Sequence, residues 1–228
     1  MDLSRDSLMT VSKTDKFWNP GFLDEDITRC GEPVKVPYVV ASEKTLHGYG
    51  TIIHDFDQAE VEVLPYPVKG WRPLCPGTGI QGEIRRGDFK YQWVQDLCVA
   101  RNLAVNWGYM VTGRLQDGVA PQKRTRVLVR EANYHPDGGQ AFYPCNKEPF
   151  IAVLALPTDD VKPEHFKAFY FGGTFGVNLY PNVWHQPLYP ITNEAVYRTK
   201  QAATYACVSV DTVDEFAKFL SVPLLPNA

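Results

Sequence analysis

The 18 prolines and 17 glycines spread along this 228-residue chain divide it into segments too short for long helices. Between these breaks the residues are β-branched and aromatic, the types that suit a pleated, half-buried surface. Gly48-Tyr-Gly-Thr-Ile-Ile53 and the alternating Val61-Glu-Val-Leu64 predict strands. So do Phe89–Trp93, Leu103–Val111, Arg124–Arg130, Gln140–Tyr143, Phe150–Leu156, Phe166–Phe171, Val196–Thr199 and Thr204–Val210. Many short strands at this spacing predict an all-β or mainly β fold, a sandwich or a barrel. The helix signals past the N-terminal region are short, a turn around Thr158–His165 and a segment over Asp211–Leu220 capped by Asp211.

Residues 1–45 are polar and broken by Asn19-Pro-Gly and Gly31-Glu-Pro. They read as an irregular N-terminal arm packed on the rest, with a short helix near Phe22–Ile27. Residues 46–228 read as a single domain. The formal charge is −3 and the pI about 6.0. The densest basic spots, Arg85-Arg86 and Lys123–Arg126, fall short of the electrostatic footprint nucleic acid needs. No run approaches the ~18 apolar residues of a membrane span, so neither nucleic acid nor membrane is an expected partner.

Five cysteines are odd in number, scattered and without a CxxC pair, which argues against a disulfide framework or zinc knot and for the reducing cytoplasm. Gly77-Thr-Gly79-Ile-Gln-Gly82 matches GxGxxG in letters only. A proline loop precedes it and Gly87-Asp88 soon follows, so the strand and helix that would aim a dipole at a pyrophosphate are missing. No nucleotide cofactor is expected.

The chemistry concentrates in two motifs. In Glu131-Ala-Asn133-Tyr-His135-Pro-Asp-Gly-Gly-Gln140, a strand places Glu131, Asn133 and His135 on one face before a sharp turn, and Gln140 starts the return. In Gly176-Val-Asn178-Leu-Tyr-Pro181-Asn-Val-Trp184-His185, the histidine follows a turn, with Trp184 as an apolar wall. Taken singly, each histidine looks like a satisfied turn residue. If the strands between them fold one motif onto the other, they build a polar site. His47, His54 and His165 lack such surroundings.

These residues resemble the ureidoglycolate lyase family of the cupin superfamily. "HPDGGQAFYP" at 135–144 is similar to the family's H-P-x-G-x-Q-A-F-x-P, and "GVNLYPNVWHQPLY" at 176–189 to its G-V-N-Y-x-x-x-x-W-H-x-P-L. "GYGTII", "FIAVLALP" and "FKAFYFGG" fall at the expected places. The resemblance implies a cupin-type double-stranded β-helix barrel, commonly a homodimer, that cleaves ureidoglycolate to glyoxylate and urea in allantoin and purine breakdown. It also implies a divalent metal such as nickel, for which His135, Gln140 and His185 are the candidate ligands. The long stretch from Pro65 to Arg86 is not expected in the compact form of the family, and Tyr180 and Gln186 stand where histidines are frequent.

Elimination from a carbinolamide needs a base for the hydroxyl proton, an acid for the departing nitrogen and a hold on the carboxylate. His135 and His185 can fill the acid and base roles or bind the metal, and Glu131 can serve as base or orienter. Gln140 and Asn178 would bond the ureido group, and Lys200 or Arg198 would pair with the carboxylate. Two alternatives stand beside the lyase: another metal-dependent cupin enzyme, an oxygenase or isomerase on a small hydroxy or keto carboxylate, and a non-catalytic metabolite-binding cupin. The amides at Asn133 and Gln140 make a strong, fully liganded metal centre the less favoured arrangement.

Overall fold

The computed structural model describes residues 29–64, 70–75, 78, 97–101, 109–110, 125–186, 188–192, 194–202 and 206–226. The expected helix near Phe22–Ile27, the strand Phe89–Trp93, the basic pair Arg85-Arg86 and most of the GxGxxG stretch lie outside them.

The described chain is mainly β, as expected. Its strands are β1 (Val34–Lys35), β2 (Tyr38–Val40), β3 (Gly50–Ile53), β4 (Leu97–Arg101), β5 (Tyr109–Met110), β6 (Arg126–Val129), β7 (Glu131–Tyr134) and β8 (Gln140–Pro144). They continue with β9 (Phe150–Ala155), β10 (Lys167–Phe171), β11 (Gly176–Leu179), β12 (Trp184–His185), β13 (Tyr189–Pro190), β14 (Glu194–Gln201), β15 (Val208–Asp211) and β16 (Leu220–Pro223). Helix α1 spans Thr212–Phe216.

Three sheets result, ordered β1-β16-β6-β5, then β15-β7-β12-β9-β10-β2 with β13 on β9, then β3-β11-β8-β14-β4. Among the described residues they are separate sheets, not one ring closed by hydrogen bonds. The seven-stranded sheet is the middle layer. Ile151, Val153 and Ala155 of β9 pack with Val127, Val129 and Leu220 of the first sheet, while Phe150, Ala152 and Leu154 pack with Phe142, Val177 and Tyr197 of the third. Every residue of β9 is therefore buried, which explains why its sequence, FIAVLA, is an unbroken apolar run and not an alternation.

The supposed irregular arm contributes two strands. β1 pairs in parallel with β16, and β2 in parallel with β10. Pro33, read as part of a breaker, and Pro37 flank these strands without interrupting them. Val61–Leu64 is no strand and makes only one bridge, Val63 to Gly138. The helix expected over 211–220 is shorter. Asp211 caps it as foreseen, accepting from Val213 and Asp214 N–H at 2.9 and 3.0 Å. Ala217, at φ 51°, then takes a left-handed conformation and the chain turns toward β16. Among the described residues no helix is long and apolar enough to cross a membrane.

Candidate functional site

The two motifs meet. β12 pairs with β7 through His185 opposite Asn133, and β11 pairs with β8 through Leu179 opposite Gln140. Between these ladders the Asn182 N–H, in a turn with φ 64°, donates to the His135 carbonyl at 3.2 Å. Gly139 allows the crossing: a Cβ there would stand 2.2 Å from the Leu179 carbonyl oxygen, so any side chain would push β11 away.

Cross-strand neighbours share a face. Gln140 and Phe142 of β8 face inward, toward the middle sheet, with Tyr197, Thr199 and Gln201 of β14. His185 faces them from the middle sheet, paired with Leu154 of β9. The rings of His135 and His185 lie 5.0 Å apart, centroid to centroid, and both are 4% exposed. Trp184 points the opposite way, into the other core against Tyr134, with its indole N–H on the Thr158 carbonyl. It is not a wall of this site, because residues adjacent along a strand face opposite sides.

Hydrogen-bond accounting fixes the chemistry of the pair. His135 Nδ1 lies 2.8 Å from the Ala206 carbonyl, and His185 Nδ1 lies 2.8 Å from the Val183 carbonyl. A carbonyl only accepts, so both Nδ1 atoms carry the proton. Burial pushes the His135 pKa below its ordinary value. Burial and then the charge of His135 push His185 down to about 3. Both rings are neutral at physiological pH, each with its lone pair on Nε2.

Those lone pairs converge on Gln140, whose Oε1 lies 3.1 Å from His135 Nε2 and 2.9 Å from His185 Nε2. Its Nε2 donates to Thr199 Oγ1 at 3.2 Å. Three acceptors aimed at one another require something positive between them. The network closes either around a cation or with the amide turned over, its two N–H bonds given to the two rings and its oxygen accepting from Thr199.

Beside this cluster are buried polar atoms without partners: both amide atoms of Gln201 and Oδ1 of Asn133; Gln186, next along the chain from His185, has two more. Gln201 stands directly opposite Gln140 in the β14–β8 ladder. Among the described residues no three His, Cys, Asp or Glu side chains cluster as a metal site, so the local donor set is two imidazoles and amides.

Of the sequence-predicted residues, the fold brings together His135, His185 and Gln140. It does not bring the others to them. Glu131 lies four residues before His135, about 13 Å along the strand at ~3.3 Å per residue. It stands opposite Asp211, and its charge adds to burial in raising the pKa of the Tyr189 hydroxyl. Arg198 and Lys200 alternate with Thr199 and face the outer side of the third sheet. Arg198 pairs with Asp57 at 2.9 Å and lines a surface cleft of about 420 Å³ with His54 and Tyr143. Lys200 Nζ donates to the carbonyls of Phe56, Ala59 and Asp57 at 2.6, 3.2 and 3.3 Å. Asn178 is on that outer face too, its Nδ2 bonding the Glu60 carbonyl.

Sequence reasoning missed Thr199, Gln201 and Gln186. A signal existed for the first two: in a strand with one buried face, Tyr197, Thr199 and Gln201 share the phase of the buried residues, and the two cations share the other.

Residues 105–216 match the family model described as ureidoglycolate lyase, a stretch that contains both motifs, so the resemblance drawn from them holds. The chain is 43% identical over 63 residues to a ureidoglycolate lyase of Salmonella enteritidis PT4, and equally so to one of Salmonella paratyphi B. Each alignment covers 28% of this chain and 39% of the relative. The chain thus spans about two-fifths of the length of the curated relatives it matches.

Proposed function

Because residues 105–216 carry the ureidoglycolate lyase signature, we propose that this protein cleaves ureidoglycolate to glyoxylate and urea at the His135–Gln140–His185 cluster. The observation that carries this reading is the set of unpartnered amides beside two neutral imidazoles. A buried, unsatisfied polar group costs about 1–3 kcal/mol, and Gln201, opposite Gln140, holds two such atoms while Asn133, opposite His185, holds one. A ureido group, planar and rich in both donors and acceptors, is the kind of ligand that would satisfy them.

In the proposed reaction a bare Nε2 takes the substrate's hydroxyl proton, the carbon–nitrogen bond breaks as the aldehyde forms, and the same proton passes to the departing urea nitrogen. One histidine suffices for both transfers, and the backbone carbonyls of Ala206 and Val183 keep the rings in the required tautomer. Depressed pKa values ensure that the base is unprotonated before substrate arrives. Gln140 positions both rings and Thr199 positions Gln140.

The donor set fits a divalent metal. His135 and His185 Nε2 with Gln140 Oε1 would hold it, and a histidine whose other ring nitrogen donates to a backbone carbonyl is the usual ligand arrangement. Bound there, the metal would offer positive charge to the substrate carboxylate and acidify its hydroxyl. Three neutral ligands imply modest affinity. Cytoplasmic residence and a homodimer belong to the same proposal. Cys30, Cys75, Cys145 and Cys207 form no disulfide bond, which supports the first, and light scattering of the purified protein tests the second.

Purified protein mixed with ureidoglycolate should release glyoxylate well above the spontaneous rate, and His185→Ala should abolish the excess. Equal release by the variant overturns the assignment. One observation favours the non-catalytic reading: with its amide turned, Gln140 satisfies both rings without any ligand. Calorimetric binding of glyoxylate or urea without turnover would support it.

A further inference from the structure

Outside the proposed reaction, two thiols are held side by side by a dedicated set of backbone bonds. The Cys75 N–H donates to the Cys207 carbonyl at 2.7 Å. The Thr78 hydroxyl donates to the Cys75 carbonyl at 2.8 Å and accepts from the Cys207 N–H at 3.2 Å. One backbone bond thus joins the two cysteines directly and Thr78 bridges them on the other side, which holds them as near neighbours, as a disulfide requires. Ser209 Oγ touches both sulfurs, at 3.0 Å from Cys75 and 3.9 Å from Cys207. The pair is asymmetric, since Cys75 is partly exposed while Cys207 is buried.

We propose that Cys75 and Cys207 form a reversible oxidation site, with Cys75 attacking a hydroperoxide and Cys207 closing the disulfide. The Cys75 thiolate attacks one peroxide oxygen, the O–O bond breaks, and the second oxygen leaves as water after taking a proton. Cys75 is then a sulfenic acid. The Cys207 sulfur attacks the Cys75 sulfur, the S–O bond breaks and a second water departs. Two thiols and one hydrogen peroxide thus give one disulfide and two waters, and a dithiol reverses the change.

The hydrogen bond from the Cys207 thiol, followed by that from Ser209, lowers the Cys75 pKa to about 6, while Cys207 is pushed up. Cys75 is therefore the nucleophile and Cys207 the resolving partner. Cys75 lies outside the family-matched stretch and Cys207 inside it, so the pair is a feature of this chain beyond its resemblance. Cys207 also follows Ala206, whose carbonyl orients His135, so the bond would tie Cys75 to the support of the active ring.

The test uses the full chain, one equivalent of hydrogen peroxide, alkylation and peptide mass spectrometry. A Cys75–Cys207 cross-linked peptide, lost on dithiothreitol treatment, is expected. Cys207→Ser should leave Cys75 trapped as a sulfenic acid that dimedone captures, and Cys75→Ser should show neither product. Exposed Cys145 is the internal control. At pH 7 the gain in thiolate outweighs the loss of nucleophilicity, so iodoacetamide should modify Cys75 about fourfold faster than an ordinary thiol. Oxidation of Cys145 while Cys75 and Cys207 stay alkylatable would overturn the proposal, as would equal sulfenic-acid yields in wild type and Cys207→Ser.

Discussion

Acid should unfold this protein through its buried imidazoles before its carboxylates titrate. In the native state His185 accepts a proton only near pH 3, against 6.5 when it is free of burial. Below 6.5 the unfolded chain therefore binds a proton that the native state refuses, and stability falls as pH falls through this window. Between pH 7.5 and 5 the loss from His185 alone is about 2 kcal/mol, at 1.36 kcal/mol per pH unit once the unfolded histidine is fully charged. His135, lowered for the same reason of burial, adds in the same direction. Against a typical stability of about 5–15 kcal/mol this is a large share. Urea unfolding followed by tryptophan fluorescence, with chelator present so that metal does not compete with protons, measures it. His185→Gln should lose the His185 part of the slope. If that variant and wild type show the same dependence from pH 7.5 to 5, the assignment of His185 as a buried neutral base is wrong.

Gln140→Leu keeps the volume but leaves two ring lone pairs and the Thr199 hydroxyl without a partner, so urea unfolding should report a loss of about 2–4 kcal/mol. Gln201→Leu removes a buried amide that has no partner in the free protein; it should raise stability by about 1 kcal/mol while lowering kcat/KM for ureidoglycolate at least tenfold. Arg198→Gln breaks a half-exposed pair with Asp57 on the outer face, and steady-state assays should find kcat/KM within about twofold of wild type.

Most of the architecture could be read from the sequence because its strands carry their own punctuation. The paired motifs were legible for the same reason: His135 and His185 each stand at a strand end beside a turn, and turns bring strand ends together. Less legible was the phase of β14. Arg198 and Lys200 are conspicuous charges, and chemistry that needs a carboxylate partner draws attention to them. The period of two sends them outward and sends Thr199 and Gln201 inward. Glu131 fell to a similar error, since sharing a face with His135 says nothing about the ~13 Å between them. The strands β1 and β2 were hidden because their partners, β16 and β10, are distant in sequence, and short polar-flanked segments form strands only when such a partner exists.

The parallel pairing of β1 with β16 also sets a timetable for biosynthesis. β16 sits between β1 and β6, so the first sheet lacks one of its two inner strands until residues 220–223 have left the ribosome. Until then the apolar face of the middle sheet that packs on it, including Ile151, Val153 and Trp184, has only part of its cover, from Val127 and Val129 of β6. The nascent chain therefore carries part of that apolar face uncovered until β16 is made, which is the kind of surface that chaperones bind during synthesis.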